Sequence, residues 1–157
     1  MSKLLTTKEI IEKYGTPNDE GTYLESITLP YPMRLAWDTK TIVARMRCHK
    51  LVKQNFLSVF NELLATYGLK KIQELGIDLF GGCFNFRKMR GGSDWSRHSW
   101  GIAIDLNPNA NDLKTTYQKS LFSKPQYIEL HRIFEKNGFL NLGKVKGYDT
   151  MHWEISG

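Results

Sequence analysis

The sequence predicts one α+β domain with a small antiparallel sheet packed against a long helix. Three observations carry this reading. The chain has 157 residues, the size of a single domain with its own core. One long stretch repeats apolar residues at three- and four-residue spacing. Short strand-like segments gather in the C-terminal half, and no internal repeat or linker divides the chain.

The elements follow in order. Thr6-Thr7-Lys8-Glu9 ahead of Ile10, Ile11 and Tyr14 reads as a capping box opening a short helix, which Gly15-Thr16-Pro17 stops. Residues 16–39 hold Pro17, Pro30 and Pro32 without a sustained period, so they read as an extended arm laid over the core. Residues 1–39 are thus an N-terminal helix and arm, and 40–157 the core of the domain. Val52, Phe56, Val59, Phe60, Leu63, Leu64 and Tyr67 predict a helix over 41–67 closed by Gly68, and Leu69 to Glu74 adds a further helical turn. Residues 81–89 alternate, placing Phe84 and Phe86 on one face of a strand and Asn85 and Arg87 on the other. Residues 90–100 read as loop and 102–106 as a second strand, ended by Asn107-Pro108-Asn109. Ser123-Lys124-Pro125 opens a helix over 125–136 that Asn137-Gly138 stops. Residues 139–142 and 151–155 complete the set as short strands.

Lysine and arginine number 22 against 16 aspartates and glutamates, a net charge of +6 that favours anionic partners. The basic residues are scattered along the chain without a nucleic-acid reading motif, so nucleic acid is not expected as the partner. Cys48 and Cys83 form no paired spacing and read as buried thiols. The first residues lack the apolar run of about 7 to 15 residues that a signal peptide carries, and no run of about 18 apolar residues occurs. The expectation is a protein made in the cytoplasm without a signal peptide and without membrane insertion, and a monomer by its size. No G-x-S-x-G elbow, Walker loop or G-x-G-x-x-G is present.

Two of the four histidines lie in segments rich in polar, aromatic and glycine residues, Ser96–Asp105 and Asp149–Glu154. In the strand at 102–106, Ile102, Ile104 and Leu106 share one face, and Ala103 and Asp105 share the other. His98, Asp105 and His152 can together supply two imidazoles and a carboxylate, three ligands that leave the fourth position of a tetrahedral zinc open to water. His49 and His131 fall in helical patterns and read as structural. In an extended 151–155 segment, His152 and Glu154 face the same way, which nominates Glu154 as the carboxylate beside the metal. Trp95, Trp100 and Trp153 flank the ligands, as walls of a cleft or as core. Ser96 either bonds a substrate or shapes the loop before His98.

Ser96-x-His98-x-x-Gly101-x-Ala103-x-Asp105, followed by Asp149-x-x-His152-Trp153-Glu154, resembles the zinc peptidases of the D-Ala-D-Ala carboxypeptidase and Hedgehog fold. That family includes phage endolysins that cut the L-alanyl-D-glutamate bond of peptidoglycan. Gly81-Gly82-Cys83-Phe84-Asn85-Phe86-Arg87-x-x-Arg90-Gly91-Gly92 is similar to the family's Gly-x-Asn-x-Arg strand, and the resemblance covers about residues 40–157. It implies one zinc per chain held by His98, Asp105 and His152, with Asp149 as general base. Glu154 then holds a ligand histidine from behind. Arg87, on the strand face it shares with Asn85, can stabilise the oxyanion or clamp a substrate carboxylate, with Arg90 as the alternative for that task, and Asn85, Ser96 and Trp153 are the expected substrate contacts. The implied activity is hydrolysis of a peptidoglycan stem-peptide bond, L-alanyl-D-glutamate first, by an enzyme released to the cell wall. The alternatives are a D-Ala-D-Ala carboxypeptidase or dipeptidase, and a non-catalytic zinc-containing binding domain.

Overall fold

The computed structural model describes residues 2–157. Helix α1 (Thr7–Tyr14) carries the expected capping box: the Thr6 hydroxyl accepts from the Glu9 amide, and the Glu9 carboxylate accepts from the Thr6 amide. Its C-terminal end is fastened from the core, where the buried Trp100 indole donates to the Gly15 carbonyl at 2.6 Å.

The extended arm is a correction. Residues 24–49 form a long hairpin of β1 (Leu24–Leu35) and β2 (Asp38–His49). The prolines do not prevent pairing because Pro30 and Pro32 lie where the β1–β2 register shifts, between Thr28 and Met33. A bulge there leaves residues without ladder partners, and the missing proline amides cost nothing. The long helix accordingly begins later than residue 41: α2 spans Lys53–Tyr67. The β-branched run Thr39, Thr41, Ile42 and Val43 favours a strand, and a paired neighbour secures it. Phe56, Val59, Phe60 and Leu63 form the buried stripe of α2, which lies on β1.

After the short helix α3 (Leu69–Glu74), strand β3 (Leu79–Gly82) pairs in parallel with β1 and antiparallel with β4 (Ala103–Leu106). The strand expected over 81–89 therefore stops at Gly82, whose φ of 118° turns the chain away. Residues 83–96 instead make an irregular loop folded on itself, with Ser96 donating to the Arg87 carbonyl and Met89 to that of Asp94. Helix α4 (Ile128–Lys136), strand β5 (Phe139–Asn141), helix α5 (Leu142–Lys146) and strand β6 (His152–Ile155) follow. The sheet has six strands in the order β2-β1-β3-β4-β6-β5. It is mixed because of the parallel β1–β3 pair, where the sequence pattern suggested an antiparallel sheet.

Below the sheet, Phe56 meets Phe139 with ring centroids 4.7 Å apart, and Phe134 stacks on Trp153 at 4.5 Å. His49 and His131 are buried, each with a ring nitrogen at a backbone carbonyl, Tyr14 and Phe122 respectively. Cys48 and Cys83 are buried free thiols, whose pKa values burial pushes up, that of Cys48 to about 12. Among the described residues no helix is long and apolar enough to cross a membrane.

Candidate metal centre

Strands β4 and β6 bring two of the three expected ligands together directly, because Asp105 and His152 are opposite each other in the antiparallel register. Trp153 and Ile155 take the core face of β6, so His152 and Glu154 share the other face with Ala103 and Asp105. His98 arrives from a single turn of 3-10 helix, Arg97–Trp100. Ser96 caps that turn by accepting from the His98 amide, so the structure gives it the loop-shaping role at 4% exposure. Gly101 ends the turn with φ of 70°, and a Cβ there would lie 2.9 Å from the His49 amide nitrogen. Gly81 has the matching role on β3, since a Cβ would come within 3.0 Å of the Asp105 carbonyl oxygen. Both glycines permit close approach of neighbouring segments, Gly101 to the end of β2 and Gly81 to β4 at Asp105.

His98 Nε2 lies 3.2 Å from Asp105 Oδ2, and His152 Nδ1 lies 3.1 Å from Asp105 Oδ1. One ligand atom from each of His98, Asp105 and His152 lies within 4.8 Å of the others, a group that could hold a metal ion. The opposite ring nitrogens are engaged: His98 Nδ1 donates to the Cys83 carbonyl at 2.8 Å, and His152 Nε2 donates to Glu154 Oε1 at 3.0 Å. With those protons assigned, the inward nitrogens of neutral rings are lone pairs pointed at a carboxylate. Buried His98 Nε2 accordingly has no hydrogen-bond partner. Acceptors that converge in a buried site need a positive charge between them. A divalent cation satisfies all three at once, and two imidazoles plus one carboxylate form a donor set suited to zinc.

Electrostatics follow from this crowding. Without a cation between them, burial opposes the Asp105 carboxylate, but the attraction of the adjacent His98 and the hydrogen bond from His152 outweigh it and hold its pKa well below the usual carboxylate range. When no cation takes that place, His152 Nδ1 holds a proton as well: hydrogen bonds to Asp105 and Glu154 overcome burial and raise its pKa to about 10. Burial pushes Asp149 upward, partly offset by the attraction of His152.

The cluster opens into a cavity of about 510 Å³. Asp149 lines it, brought round by Gly147 in the left-handed region and by its own φ of 64°. Its Oδ1 is buried and bonds nothing, whereas Glu154 is occupied by His152 and by Arg97. Arg87 and Ser96 also line the cavity. Asn85 and Trp153 do not. Asn85 is exposed outside the cavity, because the shared strand face that would have paired it with Arg87 does not form. Trp153 is fully buried against Phe134 on the opposite face of β6, in the core. Trp100 is also core, and half-buried Trp95 stacks on Phe86 in the 83–96 loop.

Several lining groups were not foreseen from sequence. Leu4, Leu5 and Thr6 form part of the wall, and Lys146 and Tyr148 add a cation and a phenol, while Arg90, the alternative to Arg87, also lines the cavity. Arg97 could have been noticed as a charged residue lodged between Ser96 and His98. The N-terminal residues carry no local signal, because their place depends on pairing with the other end of the chain, Leu4 with Ser156.

A family model described as D-alanyl-D-alanine carboxypeptidase matches residues 90–155, the stretch that contains His98, Asp105, Asp149, His152 and Glu154. No curated protein and no solved structure matches the chain. The match supports a peptidase hydrolase, and the His98–Asp105–His152 cluster inside it is a group that could hold a metal ion.

Proposed function

We propose that the protein is a zinc-dependent peptidoglycan peptidase, a single catalytic domain of the Hedgehog/D,D-peptidase type. It cuts the L-alanyl-D-glutamate bond of the stem peptide, in the manner of an endolysin that reaches the wall after release. The observation that carries the reading is the convergence of His98, Asp105 and His152 within 4.8 Å at the floor of a cavity. Its +6 charge suits an anionic wall.

His98 Nε2, an Asp105 carboxylate oxygen and His152 Nδ1 would hold one zinc. A bound zinc polarises a carbonyl oxygen and brings the pKa of a coordinated water to about 7. The Asp149 carboxylate accepts the proton of the attacking water and returns it to the leaving amine, since it lines the cavity without the ion pairs and hydrogen bonds that occupy Glu154. Arg87, whose guanidinium pairs with no carboxylate among the described residues, faces the developing oxyanion or a substrate carboxylate. Glu154 and the Cys83 carbonyl keep the two imidazoles in the tautomers that present lone pairs inward.

The test is zinc content by elemental analysis, paired with release of new amino termini from purified peptidoglycan before and after chelation. One zinc per chain and chelator-sensitive release of amino-terminal glutamate is the expected result. Zinc without release would move the protein to a binding role, and absence of zinc would remove the metal centre. The description of the matching family favours a second reading, removal of terminal D-alanine. Fragment masses that show loss of D-alanine alone would establish it in place of the endopeptidase.

A further inference from the structure

We propose that Arg97 is a positioning residue that locks the His152–Glu154 pair and, with the same guanidinium, fastens the N-terminal segment before α1 as a wall of the cavity. The inference rests on the metal centre proposed above. It concerns a residue that makes no contact with the three ligand atoms.

Glu154 has two carboxylate oxygens with two different tasks. Oε1 accepts from His152 Nε2 at 3.0 Å, and Oε2 lies 3.7 Å from Arg97 Nε. The two side chains are 13% and 7% exposed, so water screens the pair little. A carboxylate held only by one imidazole can rotate about its last bond, and the imidazole turns with it. A cation on the far oxygen stops that rotation and keeps the proton on the histidine side that faces away from the metal.

The rest of the guanidinium reaches in another direction. Nη1 donates to the Thr7 hydroxyl at 3.1 Å and to the Trp95 carbonyl at 3.2 Å, and Nη2 donates to the Leu5 carbonyl at 3.0 Å. These contacts hold the segment that precedes α1 against the site. Leu4 pairs with Ser156, Gly157 donates to the Lys3 carbonyl at 3.0 Å, and Leu4, Leu5 and Thr6 line the cavity. Only a planar fork of five donors can serve two carbonyls, a hydroxyl and a carboxylate from one position. One side chain thus serves both the N-terminal wall and the Glu154 carboxylate.

The experiment measures zinc affinity of the full chain by competition with a chromophoric chelator, and the visible spectrum of the cobalt(II)-substituted protein. The proteins are wild type, Arg97→Gln, Arg97→Lys, Glu154→Gln, the Arg97→Lys/Glu154→Gln double variant and Thr7→Val. Arg97→Gln is expected to weaken zinc about tenfold or more and to alter the cobalt bands, the scale usual for partners of ligand histidines. Arg97→Lys retains the charge and recovers part of the affinity. Thr7→Val removes the hydroxyl's bonds with Arg97 and Asp94, leaves the Glu154 contact alone and binds zinc as the wild type does. A folded Arg97→Gln protein with wild-type zinc affinity and cobalt spectrum would overturn the proposal. If Arg97→Gln does not fold, Arg97→Lys is read in two backgrounds: it must weaken zinc when Glu154 is intact and have no further effect in the Glu154→Gln protein, where the carboxylate it acts through is gone. Equal effects in both backgrounds would also overturn it. A wild-type protein that binds no zinc would instead refute the metal centre itself, a failure visible before any variant is compared.

Discussion

Replacing Asp149 by asparagine separates proton transfer from everything else the residue does. Asparagine is the right replacement because the backbone at 149 has φ of 64°. Alanine in that region is disfavoured by about 1 to 2 kcal/mol, whereas asparagine visits it readily. The side chain keeps its shape, and Oδ1 has no hydrogen-bond partner to lose. What disappears is the carboxylate that accepts the proton. Loss of a positioned general base costs about 10² to 10⁴ in rate, which corresponds to about 2.7 to 5.4 kcal/mol of barrier at about 1.36 kcal/mol per decade. The assay is release of amino termini from peptidoglycan by zinc-loaded protein, with zinc content and thermal midpoint measured on the same samples. Wild-type zinc and midpoint with turnover down by that factor is the expected outcome. An Asp149→Asn enzyme within about tenfold of wild type, beside a zinc-loaded but inactive Glu154→Gln, would refute the reasoning and transfer the role of base to Glu154.

Trp153→Ala should destabilise the fold by about 3 to 5 kcal/mol in denaturant titration, because it empties a fully buried site against Phe134. Trp153→Phe should keep full activity, and a selective rise in KM for that variant would restore a substrate contact for Trp153. Arg87→Ala should lower kcat by about 10² to 10³ if the guanidinium meets the oxyanion; a change confined to KM would mean that it clamps the substrate instead. Burial, set against the Tyr14 carbonyl that favours the proton, holds His49 below its usual pKa of 6.5, and burial does the same to His131 against the Phe122 carbonyl. The unfolded chain then binds these protons more readily, so their contribution to stability is complete above pH 6.5 and is lost as the pH falls below it. The raised His152 acts in the opposite sense, but its contribution is already present below the unfolded value of 6.5 and fades only as the pH rises toward 10. Urea midpoints of metal-free protein should therefore decline from about pH 6 to about pH 5. A flat profile there would contradict the buried neutral histidines.

The parts legible from sequence are those whose cause is local. The capping box at Thr6 and Glu9 needs only residues three apart, the buried stripe of α2 only a helical period, and the alternation over 102–106 only the strand's two faces. The same alternation over 152–155 put His152 and Glu154 on one side, and the order of motifs named the three residues that converge. Asn85 and Trp153 show where such reasoning stops. Alternation over 81–89 suggested a strand, yet Gly82 turns the chain and the loop finds its partners around His98 instead. Trp153 adjoins a ligand in sequence, and that adjacency is what sends it to the opposite face of β6.

The sequence by itself determined the ligand types, their spacing, the helical stripe and the charge, because side-chain chemistry and short-range periodicity are properties of neighbouring residues. Only the tertiary structure decided the β1–β2 hairpin, the parallel β1–β3 pair and which of Glu154 and Asp149 keeps a carboxylate oxygen without a partner. It also decided that Leu4 to Thr6 border the cavity. Each of these depends on a contact between residues far apart in the chain, such as Arg97 with Leu5 or Leu4 with Ser156. Such contacts form because they satisfy buried donors and acceptors once the core has assembled, and no local pattern encodes them.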